Sequence, residues 1–405
     1  MHIALFSPGW PPAIYPNGIV TYVHCLRQEL LAQGHRVSVF TGEVDPKFSD
    51  PDVHRVSPRL ADRFVRAFSK RILRRTSAAY DMAAILASAV ARVNAKDPID
   101  VIEMEESFGL IGDVARYTAL PMVCRLHGPT FLTVVGDQLT LPSVQTKIRE
   151  EGDGLRPLTA IIAASRCTLR NTLDQYALNP PITRQIVNPV PSRDTLPIWE
   201  LATCDRNTLL FVGRFDAIKG ADVLIRAFRR LIDQKPELKL VFVGPDYGLP
   251  SPDGQLIHLR DFVGSFADPD LERALSYRGR LDATEIIKLR PSALVTIVAS
   301  RRETQCYVAL EAMLQGCPLV CTDTTGLSEL IEHDVNGVKA RSEDPEDLAK
   351  QVQRLIDDPE LAARLGRGGR EYVLKNHAPG AVVEQMLEVY REAIHLHRQR
   401  VNVGK

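Results

Sequence analysis

Apolar residues along this chain fall into short unbroken runs, each followed by a stretch in which they recur every three or four positions. The first run, His2 to Phe6, predicts a buried strand closed by Ser7-Pro8-Gly9. A loop rich in Pro, Asn and Gly follows. Then Val20, Val23, Leu26, Leu30 and Leu31 recur at helical spacing, Gly34 stops the helix, and Val37 to Phe40 makes the next strand. Such strand–helix–strand units build a parallel sheet covered by helices. Further strands are expected at Asp100 to Ile102, Pro121 to Leu126 and Ala160 to Ala164.

The pattern breaks between Asn188 and Asn207, where Pro189, Pro191 and Pro197 stand among few periodic apolar positions, and this stretch reads as a linker. It restarts with a strand at Thr208 to Val212, a helix at Ala221 to Leu231 and strands at Leu238 to Val243, Leu294 to Val298 and Leu319 to Cys321. A helix at Tyr307 to Leu314 stops at Gly316 with Pro318 beyond it. From Pro379 onward Val382, Met386, Val389 and Ile394 mark one long closing helix. The fold class is therefore α/β with two doubly wound, Rossmann-like domains, 1–187 and 208–380, joined by 188–207. Ligands of such sheets sit outside the carboxyl ends of the strands, so two of them face to face would frame a cleft.

Composition narrows the picture a little. The 405 residues are 45% hydrophobic and 25% charged, an ordinary globular balance that suggests two or three domains. Lys plus Arg equals Asp plus Glu at 50 each, which argues against nucleic-acid binding through bulk charge. The start lacks a basic, apolar leader, and no run approaches the roughly 20 apolar residues of a membrane span. Seven scattered cysteines (Cys25, Cys124, Cys167, Cys204, Cys306, Cys317 and Cys321) indicate neither a disulfide framework nor a zinc knuckle, and point to a reducing cytoplasm.

Two clusters carry candidate chemistry. In Arg301-Arg302-Glu303-Thr304-Gln305-Cys306-Tyr307, Glu303 precedes a helix that contains Glu311. The helix N-terminus is a natural seat for a diphosphate, and the flanking carboxylates could accept hydrogen bonds from sugar and ribose hydroxyls. Equally, Glu303 could be a first-turn dipole partner and Glu311 a surface residue. In Gly213-Arg214-Phe215-Asp216-Ala217-Ile218-Lys219-Gly220, a strand turns into a helix with Arg214 and Lys219 in the turn. Arg chelates phosphate oxygens and Lys adds a compact charge; the same loop could equally be two solvated cations. Glu103, Glu105 and Glu106 after Val101-Ile102 read either as cleft acids and bases or as decoration of a surface loop. Arg59, Arg63, Arg66, Lys70 and Arg74 recur beside Leu60, Phe64, Phe68 and Ile72, the pattern of a basic amphipathic helix on an anionic membrane or of a solvated face.

Together Gly213-Arg214…Lys219-Gly220 and Glu303…Glu311, continued by Glu311-Ala312-Met313…Gly316 and Pro318, resemble the retaining GT-B glycosyltransferases of the bacterial family 4 type with a Glu-x7-Glu motif. The resemblance runs over nearly the whole chain, including Gly18, Gly34-His35 and a closing helix (381–400) that returns to the first domain. It implies that Arg214 and Lys219 hold the donor diphosphate, that Glu311 binds ribose, and that Glu303 contacts the donor sugar. It implies further donor contacts from Gly18, Gly213, Thr304, Gln305, Cys306, Tyr307 and Val308, an active-site His127, and an acceptor-side Glu105. Thr304-Gln305-Cys306 departs from the usual Gly-Phe-Gly, which bears on sugar choice, and Asn17-Gly18 replaces Gly-Gly.

The expected reaction is transfer from a UDP-sugar, with a GDP-sugar as the second option, to a sugar, lipid-linked or small-molecule acceptor, in polysaccharide, glycolipid or glycoconjugate synthesis. No cofactor and no metal are expected, since the cations can stand in for one. The enzyme is expected in the cytoplasm or at the inner face of the membrane. Alternatives are a sugar-nucleotide epimerase of the same architecture and a non-catalytic nucleotide-sugar binder. A dinucleotide oxidoreductase would need Gly-x-Gly-x-x-Gly after the first strand, and Ser7-Pro8-Gly9-Trp10-Pro11-Pro12 does not supply it.

Overall fold

The computed structural model describes residues 1–15, 17–56, 78–191, 195–251 and 253–403. The basic set Arg59, Arg63, Arg66, Lys70 and Arg74 lies outside them. No helix among the described residues is long and apolar enough to cross a membrane. The chain divides into two compact units, Met1–Pro191 with Pro379–Lys405, and Ser192–Ala378.

The first unit is a seven-stranded sheet of β1 (His2–Trp10), β2 (Arg36–Val44), β3 (Val53–Arg55), β4 (Val101–Glu105), β5 (Met122–Leu126), β6 (Ala160–Ala163) and β7 (Ile182–Gln185), in the order β3-β2-β1-β4-β5-β6-β7. All neighbours are parallel. The strands β4, β5 and β6 are buried along their whole length, as expected of a sheet covered on both faces. One core packs Ala4, Phe40, Ile102, Leu126 and Ile161 under the helices.

The first strand outruns its predicted end. Pairing with β2 continues to Trp10 opposite Val44, whereas pairing with β4 stops at Leu5. Pro8 therefore falls where only one edge of the strand is engaged, and its missing N–H breaks no ladder on the other. The closing helix Pro379–Val403 belongs to this unit. It buries Val382, Val383, Met386 and Tyr390, and the Tyr390 hydroxyl donates to Glu103 Oε2 at 2.5 Å.

The second unit contains β8 (Asp205–Val212), β9 (Lys239–Val243), the two-stranded hairpin β10 (Leu249–Pro250) and β11 (Leu256–Ile257), then β12 (Leu275–Tyr277), β13 (Ala293–Val298), β14 (Leu319–Thr322) and β15 (Val338–Ala340). Its six-stranded parallel sheet runs β12-β9-β8-β13-β14-β15. The order reverses between β8 and β13, the topological switch point where ligands of such sheets bind. Leu210, Val243 and Ala293 centre one part of its core.

The stretch read as a linker is largely anchored. Asn188 is buried and accepts from Arg125 Nη2 at 2.6 Å in the first unit. Trp199 is buried in the second, its backbone N–H donating to Gln315 O and its Nε1 to Ala293 O, both at 2.8 Å. Asp205 to Asn207 already form the start of β8. The prolines hid these anchors because tertiary partners, not periodicity, fix the segment.

Candidate functional site

The two motif clusters of the second unit leave the sheet side by side. Phe211 of β8 is in register with Ile297 of β13, so the turn 213–220 and the loop 299–306 begin as neighbours at the switch point. Backbone and side chains then tie them. The Arg301 N–H donates to Ile218 O at 2.8 Å, and its guanidinium grips Asp222 through Nη1 and Nη2 at 2.7 and 2.8 Å while also reaching Ala217 O. That charge-assisted hydrogen bonding to Asp222 raises the Arg301 pKa further. Gly220 has φ 62°, and a Cβ there would lie 2.0 Å from Ala299 O. Only glycine allows both that backbone and that approach.

Inside this frame Lys219 Nζ meets Glu303 Oε1 at 2.6 Å. Ser300 Oγ donates to the same oxygen at 2.8 Å. Burial disfavours the ammonium, but the charge and hydrogen bond of the Glu303 carboxylate outweigh that cost, and the Lys219 pKa ends above the ordinary value. Asp216 organises the turn: one oxygen accepts the Lys219 N–H at 2.8 Å, the other accepts Arg214 Nε at 2.6 Å. Held by Nε, Arg214 keeps Nη1 and Nη2 without a protein partner among the described residues, and its guanidinium lies 5.7 Å from the Tyr247 ring centroid. The Glu303 carbonyl accepts from Gly326 N at 2.9 Å and from the Thr325 hydroxyl, so the loop is also fixed from the β14 side.

Glu303 lies four residues ahead of the helix Tyr307–Leu314, whose first turn holds no acidic residue. It is thus no first-turn dipole partner; its partner is Lys219. Glu311 sits in the second turn and is not a plain surface residue, since Oε2 accepts from the buried Arg290 Nη2 at 2.5 Å. Cys306 is the residue that precedes the helix and is buried, which drives its thiol pKa up. Thr304, Gln305, Tyr307 and Val308 are half-buried along the same loop and helix start, and Gly213 follows β8 against the Phe211 ring.

The first unit holds the other expected residues. Gly18 is not a loop residue: it opens the helix Gly18–Ala32, and the Asn17 side chain caps it by accepting the Ile19 N–H at 2.8 Å. Asn is a better cap than Gly, which gives the Asn17 substitution a local reason. His127 follows β5, its ring packed edge-on to Tyr22 at 5.0 Å. Burial, with Arg125 adding repulsion, drives its pKa down to about 3, so the imidazole is neutral at physiological pH.

The carboxylates in β4 and just after it do not decorate a surface. Glu103, Glu105 and Glu106 are 3%, 7% and 1% exposed. Glu103 supports the closing helix through Tyr390, and Glu105 Oε2 accepts from Ser107 N at 2.6 Å. Glu106 accepts the backbone N–H groups of His127 at 2.9 Å and Gly128 at 2.6 Å, which fixes the backbone that carries the imidazole. Burial and the neighbouring Glu105 push the Glu106 pKa up, against the pull of those two N–H groups. Burial likewise raises Glu105.

Sequence reasoning missed Asp216, Ser300, Arg301 with Asp222, Arg290 and the His127-holding role of Glu106. Asp216 and Arg301 stood within the quoted motifs and carried a signal as charged residues in tight loops. Arg290, distant from both motifs, carried none.

Two family models match the chain. Residues 16–192 fit the glycosyltransferase family 4 model and residues 199–372 fit the model of glycosyl transferases group 1. The chain belongs to the family 4 type of glycosyltransferases and has their GT-B architecture of two Rossmann-like units. A D-inositol 3-phosphate glycosyltransferase from Acidothermus cellulolyticus is 26% identical over 404 residues, 93% of this chain and 86% of that protein. One from Thermobispora bispora is 29% identical over 56% of this chain, and the match spans only 52% of its own length. Among solved structures, sucrose-phosphate synthase from Thermosynechococcus elongatus shares the fold with a TM-score of 0.77 at 22% identity, over 98% of this chain and 99% of the other. Anabaena HepE in complex with UDP-glucose has a TM-score of 0.68 at 18% identity, over 97% and 100%.

Proposed function

We propose that this glycosyltransferase moves a hexosyl group from a nucleoside diphosphate sugar to an acceptor hydroxyl with retention of anomeric configuration and without a metal ion. The observation that carries the reading is the 2.6 Å meeting of Lys219 with Glu303 at the switch point, with Arg214 presenting beside it two nitrogens that take no protein partner among the described residues. Two cations at one strand end form an electrostatic seat for a leaving diphosphate. The carboxylates of Glu303 and Glu311 suit hydroxyls of the donor sugar and the ribose. Support for a UDP-sugar comes from HepE, a protein of the same fold solved with UDP-glucose; a GDP-sugar is the second option. The names of the relatives support a small polyol-type acceptor.

In the proposed step the bond between the anomeric carbon and the diphosphate oxygen breaks, and a bond to the acceptor oxygen forms on the same face. Arg214, Lys219 and the N-terminus of Tyr307–Leu314 stabilise the charge that grows on the diphosphate. The acceptor proton passes to a leaving phosphate oxygen. Neutral His127 contributes a hydrogen bond rather than a charge, and Glu105 is an acceptor-side group. Gly18, Gly213, Thr304, Gln305, Cys306 and Val308 line the donor. We place the reaction in the cytoplasm, in glycoconjugate or polysaccharide synthesis.

The test is a thermal-shift panel of UDP- and GDP-sugars, followed by product analysis by NMR in the presence of EDTA. The reading expects one donor to stabilise the protein and an axial or equatorial linkage matching that donor. An inverted linkage, or loss of turnover on chelation, would overturn it. A new sugar nucleotide formed from donor alone would favour the epimerase alternative.

A further inference from the structure

The arginine that sequence reasoning overlooked has a geometry with a consequence for the nucleotide. Arg290 lies in the turn Arg290–Ser292 ahead of β13, with its side chain 1% exposed. Its Nη2 donates to Glu311 Oε2 at 2.5 Å and its Nη1 to Gln315 Oε1 at 2.8 Å. Gln315 stands one helical turn after Glu311 and is itself buried. Its amide nitrogen donates to Ile287 O at 2.7 Å and Pro197 O at 3.0 Å, which fixes which end of the amide faces the arginine. The chain of bonds therefore runs from two backbone carbonyls, through Gln315 and Arg290, to one oxygen of Glu311.

The far end of that chain differs from its root. The Glu311 side chain is 37% exposed while the guanidinium that holds it is not. Its Oε1 takes no protein partner among the described residues. The Nε of Arg290 also lacks a partner among them. An arginine kept only to saturate buried groups would engage all its donors; this one leaves a donor unsatisfied while directing Nη2 at a half-exposed carboxylate. An exposed glutamate on a helix otherwise samples several rotamers. A carboxylate that must accept from hydroxyls in a fixed plane gains from having one oxygen clamped.

We infer that Arg290, braced by Gln315, is a positioning residue that locks Glu311 so that its free oxygen reads the ribose hydroxyls of the nucleotide. The inference rests on the reading of Glu311 as the ribose contact. A charge-assisted hydrogen bond to a ribose hydroxyl separates ribo- from deoxynucleotides by about 10- to 100-fold in affinity. Arg290 is then required for that ratio, not merely for binding.

Calorimetric titration of the full chain with UDP, GDP and their 2′-deoxy and 3′-deoxy counterparts tests this. Arg290→Lys keeps the buried charge but replaces the planar fork with a single point of donors. Expected is a ribo-to-deoxy ratio compressed to within about 3-fold, matching Glu311→Gln, with nothing further lost in the double variant. Should Arg290→Lys fail to fold by circular dichroism, Gln315→Met decides: it keeps the side-chain volume and adds no charge, removes the oxygen that braces Nη1, and is expected to compress the ratio as well. A variant at 290 or 315 that weakens ribo- and deoxynucleotides equally, while Glu311→Gln compresses the ratio, overturns the positioning role alone. A wild-type ratio retained in Glu311→Gln, or no nucleotide binding by the unsubstituted protein, overturns the ribose reading beneath it.

Discussion

Glu303→Gln isolates the charge of the central pair while keeping its shape. Lys219 Nζ and Ser300 Oγ both donate to Glu303 Oε1, and a glutamine oxygen can accept both. At 2.6 Å the gross attraction between the charges is about 6 kcal/mol at an effective dielectric of 20. Most of this is offset by the desolvation of two largely buried groups, whose side chains are 26% and 9% exposed. What the substitution removes is the difference between a charge-assisted and a neutral hydrogen bond, about 1–2 kcal/mol. For a unit of this size that is a fall of about 2–8 °C in melting temperature. The pH dependence carries a sign. The Lys219 pKa is raised in the folded state, so the stabilisation is fully present below the unfolded lysine value of about 10.4 and is lost only as pH rises through the higher folded value. Thermal melts of wild type and variant from pH 7 to 11 should differ by a constant amount up to about pH 10. Equal melting temperatures at pH 8, or a difference that vanishes by pH 9, would refute the pair as the organising interaction.

Three further outcomes follow from the same geometry. Gly220→Ala forces a left-handed backbone on alanine and drives a Cβ to 2.0 Å from Ala299 O; a loss of about 2–4 kcal/mol in urea unfolding is expected. Arg301→Met strands Asp222 and unties the two loops; calorimetry should show about 2–4 kcal/mol of destabilisation together with weakened nucleotide binding. The Glu106 pKa is raised in the fold, the reverse of the usual carboxylate, so the first unit should lose stability as pH climbs from the unfolded glutamate value through the higher folded one; protection factors of the His127 and Gly128 amides at pH 5 and 8.5, corrected for base-catalysed intrinsic exchange, measure it, and a larger protection factor at pH 8.5 would contradict the assignment.

The strand–helix alternation of both units was legible because parallel strands buried on two faces are nearly continuous apolar runs, broken only by Thr296 in Ala293–Val298 and by Arg125 in Met122–Leu126. What the pattern left unseen was what tertiary partners decide. Nothing near Trp199 announces that its indole will bond Ala293 O. Nothing near Glu103 announces that a tyrosine 287 positions away will donate to it. Three glutamates in six residues look solvated until the sheet order places β4 at its centre.

The site divides along the same line. Residues adjacent in sequence to a strand end, such as Arg214 and Glu303, could be proposed from local pattern because the switch point converts position after a strand into position at a ligand. Their pairing could not, since it depends on β8 and β13 being neighbours, and strands 80 residues apart carry no mutual signal in a single sequence. Arg290 shows the limit most clearly. It ends one helix, precedes a proline, and by local criteria is a helix-terminal cation satisfying the dipole. Its relevance arises only because Glu311 and Gln315 lie one helical turn apart on a single face turned towards it. A glutamate that looked like half of a motif is therefore the outer end of a braced relay, and substitutions at its root should be read in nucleotide discrimination before they are read in turnover.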